Sequence, residues 1–373
     1  MKALLLSITA GQGHHATASA VRKRLEFYGV QCETLDVYEY AAPILKELVA
    51  RGYLILTAHA PKVEATFYTL AENRSKVEDR ASMMQIMNNV LAKKLIQYLE
   101  DYKPDVIICT HVFASGIVNS LKAKKVTNAL HIGIVTDFTL HPFWEDLKHI
   151  DYIITASELL EYAARQRGVE SAKLLPLGIP IDTKFCKGKD RKAAREALGL
   201  HPDQPAILIM SGSMGFGKMD KAIAQLDALN HDFQAMVVCG SNKAMENKIK
   251  KIKTNHDFRV YGYVDTVEQM MDAADCIVTK PGGLTTSEAL QKDLPVIMVN
   301  PIPGQEERNV DFLLNTGMAM YATPTYPVDE VLNNALTDPE LLLRIQENIK
   351  RLGKKNATDR LCAFVMEEVK KRG

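Results

Sequence analysis

The sequence predicts two α/β domains of the Rossmann type, each a parallel sheet sandwiched between helices. Eight short runs, nearly all apolar, carry this reading: ALLLSI (3–8), DVIICT (105–110), HIGIVT (131–136), YIITA (152–156), AILIM (206–210), AMVVC (235–239), DCIVTK (275–280) and PVIMV (295–299). Unbroken apolarity over so few residues marks strands covered on both faces. Helical patterns separate the runs, and strand–helix alternation means parallel pairing. The alternation runs through twice, and 373 residues exceed one ordinary core.

The first helix is expected over Ala16–Tyr28, with Ala18, Val21, Leu25 and Tyr28 along one side. Segment 38–100 breaks the alternation and reads as a helical insertion without strands. The first pass closes at LLPLGIPID (174–182), and the Pro, Gly and charge of 178–190 mark a linker. A helix around Arg191–Leu198 and the strand at 206 open the second pass, with helices at Lys218–Leu229 and Thr285–Leu290. The domains are therefore drawn at 1–180 and 181–355, with a C-terminal helix at 356–373 packing back on the first domain. Ligands of such folds lie at the carboxyl ends of the strands, here in the cleft where the two domains face each other.

The bulk composition excludes several classes. A net charge of +1 gives no electrostatic footprint for nucleic acid. No run approaches 18 apolar residues, so no transmembrane helix is expected. MKALLLSI reads as a buried strand, and the protein as cytoplasmic. The six cysteines are scattered with no C-x-x-C pair, which fits buried, reduced thiols better than metal ligands.

Five stretches carry chemistry. In SITAGQGHHATA (7–18) a strand ends, Gly11 and Gly13 turn the chain, and a helix begins at His14 or His15. An imidazole at a helix start is disfavoured in its charged form, which suits a general base. In VTDFTLHPFW (135–144) Asp137 sits at a strand end, followed by His141 and the only tryptophan, Trp144. Those residues make either a site or a turn with a packing anchor. In VTKPGGLTTSEAL (278–290) Gly282 and Gly283 turn the chain into a helix start, an anion site. There Thr285 and Glu288 fit a capping box, or Glu288 binds the two hydroxyls of a ribose. In NPIPGQEERNVDFL (300–313) the polar Gln305, Glu306, Arg308 and Asn309 suit sugar hydroxyls or a solvated helix start.

The fifth stretch, GSMGFGK (212–218), spells a phosphate loop up to its lysine. The next position, which must bring a hydroxyl to Mg²⁺, is Met219. A thioether does not bind a hard cation. The loop keeps its diphosphate-cradling glycines without a metal site, which makes nucleoside-triphosphate hydrolysis a distant alternative.

In this order on two α/β domains, GQGHHATA, TDFTLHPFW, SGSMGFGK, YGYVDTVEQMM (261–271), KPGGLTTSEAL and PIPGQEERN resemble the monogalactosyldiacylglycerol synthase and processive diacylglycerol glucosyltransferase family, over nearly the whole chain. The resemblance implies GT-B architecture, two Rossmann-like domains facing a central cleft. It implies an inverting, metal-independent transfer of glucose or galactose from a UDP-sugar to diacylglycerol or a glycosyl-diacylglycerol. By motif position, His14 and Asp137 are the catalytic residues, one or the other the base, with Gly13, His15, His141 and Trp144 among the substrate-binding residues. Gly212, Ser213, Gly282, Gly283 and Thr285 hold the diphosphate. Glu288 binds the ribose, the backbone at Tyr263 and Val264 pairs with uracil, and Gln305 and Glu306 face the donor sugar. No metal and no cofactor are implied. The partners are the UDP-sugar, the lipid acceptor and a membrane surface, with the protein peripheral on its cytoplasmic face. Rival readings on the same architecture are a UDP-sugar 2-epimerase, a lipid-I-type N-acetylglucosaminyltransferase and a non-catalytic UDP-sugar sensor.

Overall fold

The computed structural model describes residues 1–9, 12–41, 92–188, 190–210 and 219–372. The core of the expected insertion, 42–91, and the GSMGFGK loop with Gly212 and Ser213 lie outside the described residues. The chain divides into two compact units. The first comprises 1–183, 302–305 and 354–373; the second comprises 184–301 and 306–353.

The first unit is built on six parallel strands: β1 (Lys2–Ser7), β2 (Gln31–Asp36), β3 (Val106–Cys109), β4 (Leu130–Ile134), β5 (Tyr152–Ile154) and β6 (Leu174–Leu175), ordered β2-β1-β3-β4-β5-β6. The buried runs of β1, β3 and β4 fill both faces. Leu4, Leu6, Ile107 and Cys109 point to one side, while Leu5, Ile108, Leu130 and Ile132 point to the other. That alternation between two faces is the two-residue period of a strand. The helix Gln12–Phe27 covers the second face with Ala18, Val21 and Leu25. It starts four residues earlier than its apolar stripe suggests, so both histidines lie inside its first turn.

The helix Ala357–Arg372 belongs to this unit and buries Leu361, Cys362 and Val365 beside Val21 and Leu25. Arg24 pairs with Asp359, and the Thr358 hydroxyl donates to the Ile181 carbonyl at 2.6 Å in the buried interior.

The second unit has six parallel strands as well: β7 (Ala206–Met210), β8 (Gln234–Val238), β9 (Asp257–Tyr261), β10 (Cys276–Thr279), β11 (Val296–Met298) and β12 (Ala319–Tyr321). Their order, β9-β8-β7-β10-β11-β12, is the doubly wound order 3-2-1-4-5-6. The sheet's order reverses between β7 and β10. The crevice at such a switch point, outside the carboxyl ends, is where this fold takes its ligand.

All eight predicted strands are present. The four strands that the apolar runs did not announce are β2, β6, β9 and β12, the two outermost strands of each sheet. The six cysteines are free; Cys186 is half-buried and the other five are buried. Among the described residues no helix is long and apolar enough to cross a membrane.

Candidate active site

In the first unit the strand order reverses between β1 and β3. The carboxyl ends of β1, β3 and β4 bring together His14, Thr110, His111, Thr136 and Asp137. His14 Nδ1 lies 2.7 Å from the Thr110 carbonyl and 3.2 Å from Thr136 Oγ1. A carbonyl only accepts, so Nδ1 carries the proton and donates it there; in the neutral ring the lone pair is then on Nε2. Burial lowers the His14 pKa below the ordinary imidazole value, while the charge of Asp137 pulls it the other way. His14 Nε2 thus bears a lone pair, on a ring that stays neutral to lower pH than an ordinary histidine.

His15 is tied to the ends of the first two strands. Its Nδ1 is 2.6 Å from Ser7 Oγ and its Nε2 is 3.1 Å from Thr9 Oγ1 and 3.4 Å from Asp36 Oδ2. Both nitrogens are thus engaged at the ends of β1 and β2. Burial works against the Asp36 charge, yet hydrogen bonds from His15 and Thr9 outweigh it and hold the carboxyl well below the usual range. Asp36 also accepts the amides of Tyr38 and Glu39 at 2.9 and 3.0 Å, starting the next helical turn. His15 is anchored by these contacts, while His14 lies beside Thr110 and Thr136 at the ends of β3 and β4. Gly13 has no atom within 4 Å of where a Cβ would stand, so backbone crowding does not require glycine there.

Asp137 is half-buried and accepts a hydrogen bond from Gln305 Nε2 at 2.8 Å, Gln305 being part of the same unit. Motif position assigned Gln305 to a sugar; its described partner is the carboxylate. His141 caps the short turn Pro142–Trp144, its Nδ1 accepting the Phe143 amide at 3.2 Å.

Trp144 requires a correction. It is 4% exposed and packs with Leu147, Ile150 and Ile153. A Cβ on Gly133 would stand 2.2 Å from its ring. The indole occupies the space beside Gly133, the one position of β4 without a side chain, and at 4% exposure it serves as a packing anchor with little surface left for a ligand.

His111 was not singled out from sequence, and the structure places it beside His14 with ring centroids 4.6 Å apart and nearly edge-on at 72°. It is the N-cap of the helix Val112–Ala123, with Nδ1 accepting the Phe113 amide at 3.1 Å. Burial, then the neighbouring His14 and His141, push its pKa well below the ordinary value. Its position directly after an apolar strand was the available signal.

In the second unit, β10 ends at Thr279 and the chain turns through Lys280–Gly282 into the helix Gly283–Gln291. The helix begins two residues before Thr285, with Gly282 as N-cap and no side-chain cap. The capping-box alternative therefore fails, because Thr285 is not at the cap and Glu288 is not its N3 partner. With no capping side chain, the first-turn amides of Gly283, Leu284 and Thr285 remain for an anion at the switch point.

Glu306 is 6% exposed and ion-paired with Lys280 Nζ at 2.5 Å, and its carboxylate lies 3.4 Å from where a Gly282 Cβ would be. Lys280 ends the predicted strand DCIVTK, but its pairing with Glu306 was not foreseen. Asn309, fully buried, donates to the Pro281 carbonyl at 2.9 Å and fixes the turn to the helix Gln305–Asn315. Glu288 is half-buried one turn into the helix. Tyr263 is 73% exposed and Val264 half-buried, following β9.

A cavity of about 500 Å³ in the first unit lies elsewhere, near the amino ends of β4 and β5. Three of its lining cations are paired within it, Lys122 and Arg372 with Asp151 and Lys173 with Glu170, while Lys148 donates to the Glu145 carbonyl. Among the described residues no group of three His, Cys, Asp or Glu is arranged to hold a metal ion.

Residues 14–181 match the family model for monogalactosyldiacylglycerol (MGDG) synthase, and residues 191–352 match glycosyl transferases group 1. The chain is 27% identical to the processive diacylglycerol beta-glucosyltransferase of Bacillus licheniformis over 98% of this chain and 94% of that protein. It is 26% identical to monogalactosyldiacylglycerol synthase 1 of Arabidopsis thaliana, covering all of this chain and 72% of that protein. Among solved structures, MurG of Acinetobacter baumannii matches with a TM-score of 0.65 at 16% identity, covering 98% of this chain and 99% of that one. Anabaena HepE in complex with UDP matches with a TM-score of 0.55 at 15% identity, covering 100% and 99%. At such identities these two likenesses speak to fold alone.

Proposed function

We propose that the chain is a member of the monogalactosyldiacylglycerol synthase and processive diacylglycerol glucosyltransferase family, which it resembles over both halves, and that it transfers glucose or galactose from a UDP-sugar to diacylglycerol or a glycosyl-diacylglycerol. The observation that carries the reading is His14 at the switch point of the first sheet, with Nδ1 tied to the Thr110 carbonyl and its basic Nε2 left for a substrate proton.

In the proposed reaction, the acceptor hydroxyl loses its proton to His14 Nε2 as its oxygen attacks the anomeric carbon. The bond from that carbon to the diphosphate breaks, UDP leaves with the electron pair, and the configuration inverts. Asp137, held by Gln305, steadies the positive charge that grows on His14. Fixed dipoles aimed where charge develops do not reorganise during the reaction. The amides of Gly283–Thr285 are such dipoles, and Gly212 and Ser213 are assigned the same work. Glu288 receives the ribose hydroxyls and the backbone at Tyr263 and Val264 the uracil. We place Glu306, oriented by Lys280, toward the donor sugar. No resident cofactor is part of this proposal. Because the acceptor is a membrane lipid, the protein is proposed to work as a peripheral protein at the cytoplasmic face.

The test is incubation with UDP-glucose and UDP-galactose, each with and without diacylglycerol vesicles, reading product lipids by mass. A hexosyl-diacylglycerol with one donor is the expected result. Sugar-nucleotide turnover that needs no lipid, or UDP-sugar binding without product, would overturn the reading in favour of an epimerase or a sensor.

A further inference from the structure

His14 and His111 sit side by side with opposite hydrogen-bonding sense. His14 Nδ1 faces a carbonyl and must donate, which leaves a lone pair on Nε2. His111 Nδ1 faces the Phe113 amide at 3.1 Å and must accept. The neutral His111 ring then carries its proton on Nε2 and offers a donor. Burial among aromatic neighbours keeps it neutral: its ring lies 4.6 Å from that of His14 and 4.9 Å from Phe113. Two imidazoles, one basic and one donating, thus stand together at the carboxyl ends of β1 and β3.

A hydroxyl about to be deprotonated is complementary to such a pair. Its hydrogen points to a base, and its oxygen has a lone pair free for a donor. We propose that His111 Nε2–H donates to the oxygen of the acceptor hydroxyl and holds its hydrogen against His14 Nε2, making His111 a positioning residue for the transfer. The proposal rests on the sugar-transfer reading above. It also explains why a histidine caps the helix Val112–Ala123, where Ser, Asp or Asn would cap as well: a capping asparagine supplies the Nδ1-like acceptor but lacks the distal N–H.

That difference supplies the test. His111→Asn keeps an acceptor for the Phe113 amide and removes the distal donor; His111→Gln keeps a distal donor and loses the cap. For His111→Asn, the melting midpoint and the KM for UDP-sugar should stay at wild-type values, while kcat with the lipid acceptor falls about tenfold. For His111→Gln, the midpoint should drop while kcat stays closer to wild type. Wild-type kcat in His111→Asn, or losses in both variants that follow only the melting midpoint, would overturn the positioning role and leave the transferase reading intact. A wild-type chain that glycosylates no lipid would overturn the transferase reading and this role with it. Long-range proton–nitrogen NMR of the free protein is independent of turnover: His111 protonated on Nε2 and His14 on Nδ1 is expected, and the reverse assignment at His111 contradicts the proposal.

Discussion

The two sheets end in different chemistry. At the switch point of the first, the groups presented are titratable side chains: His14, His111 and Asp137. At that of the second they are backbone amides and a locked ion pair: the uncapped first turn Gly283–Thr285 and Lys280 with Glu306. Parallel strands bring their carboxyl ends together in both units, so topology chooses where a site forms. The residue after each strand chooses what it does. A proton-transfer site needs neutral imidazoles, and burial provides them; an anion site needs donors that are fixed in advance, and a helix start provides those.

The largest expected break in this division is His14→Ala. Removing the base should lower turnover by about 10²- to 10⁴-fold, checked by initial rates at saturating donor. The pH profile sharpens the same point. Because the His14 pKa is lowered by burial, the neutral base persists below pH 6.5. The acid limb of kcat/KM should therefore fall below that value and disappear from the residual activity of His14→Ala.

Next in size is acid destabilisation of the first sheet. His131 of β4 is fully buried, with neither ring nitrogen hydrogen-bonded, and burial together with Lys122 pushes its pKa down to about 3. The unfolded chain takes up this proton at higher pH than the folded one, so stability is complete above about pH 6.5 and declines as pH falls toward 3. The full span is worth about 5 kcal/mol. His131→Leu should flatten the decline in denaturant titrations across that range.

Glu288→Ala should weaken UDP binding by about 10- to 100-fold, the effect of losing a charged hydrogen-bond acceptor, read by calorimetry. Unchanged affinity would remove the ribose role. The smallest effect is structural: Gly133→Ala drives a methyl into the Trp144 ring and should cost about 1–3 kcal/mol by overpacking. A shifted melting midpoint with unchanged UDP affinity is the expected signature.

The sequence made the inner strands legible and the outer ones obscure, for one physical reason. Inner strands are covered on both faces and read as unbroken apolar runs, as β1, β3, β7 and β10 do. An outermost strand such as QCETLD (β2) or DFRVY (β9) is only partly covered and keeps polar residues, so no run announces it. At the site, His14 and Asp137 were visible because glycines or a strand end frame them. Lys280 was hidden because it reads as the tail of its strand, and its role depends on Glu306, 26 residues on. His111 follows a strand as Asp137 does, but it stands alone there, with neither glycines nor a polar cluster beside it to draw attention to that strand end. Trp144 misled because its partner is the absence of a side chain at Gly133.

The division of labour between the two sheets is tested most directly by measuring UDP affinity and lipid glycosylation together in His14→Ala and Glu288→Ala. The account predicts that His14→Ala binds UDP like wild type while transfer collapses, and that Glu288→Ala loses UDP affinity. Weakened UDP binding in His14→Ala, or transfer at the wild-type rate in that variant, would contradict it.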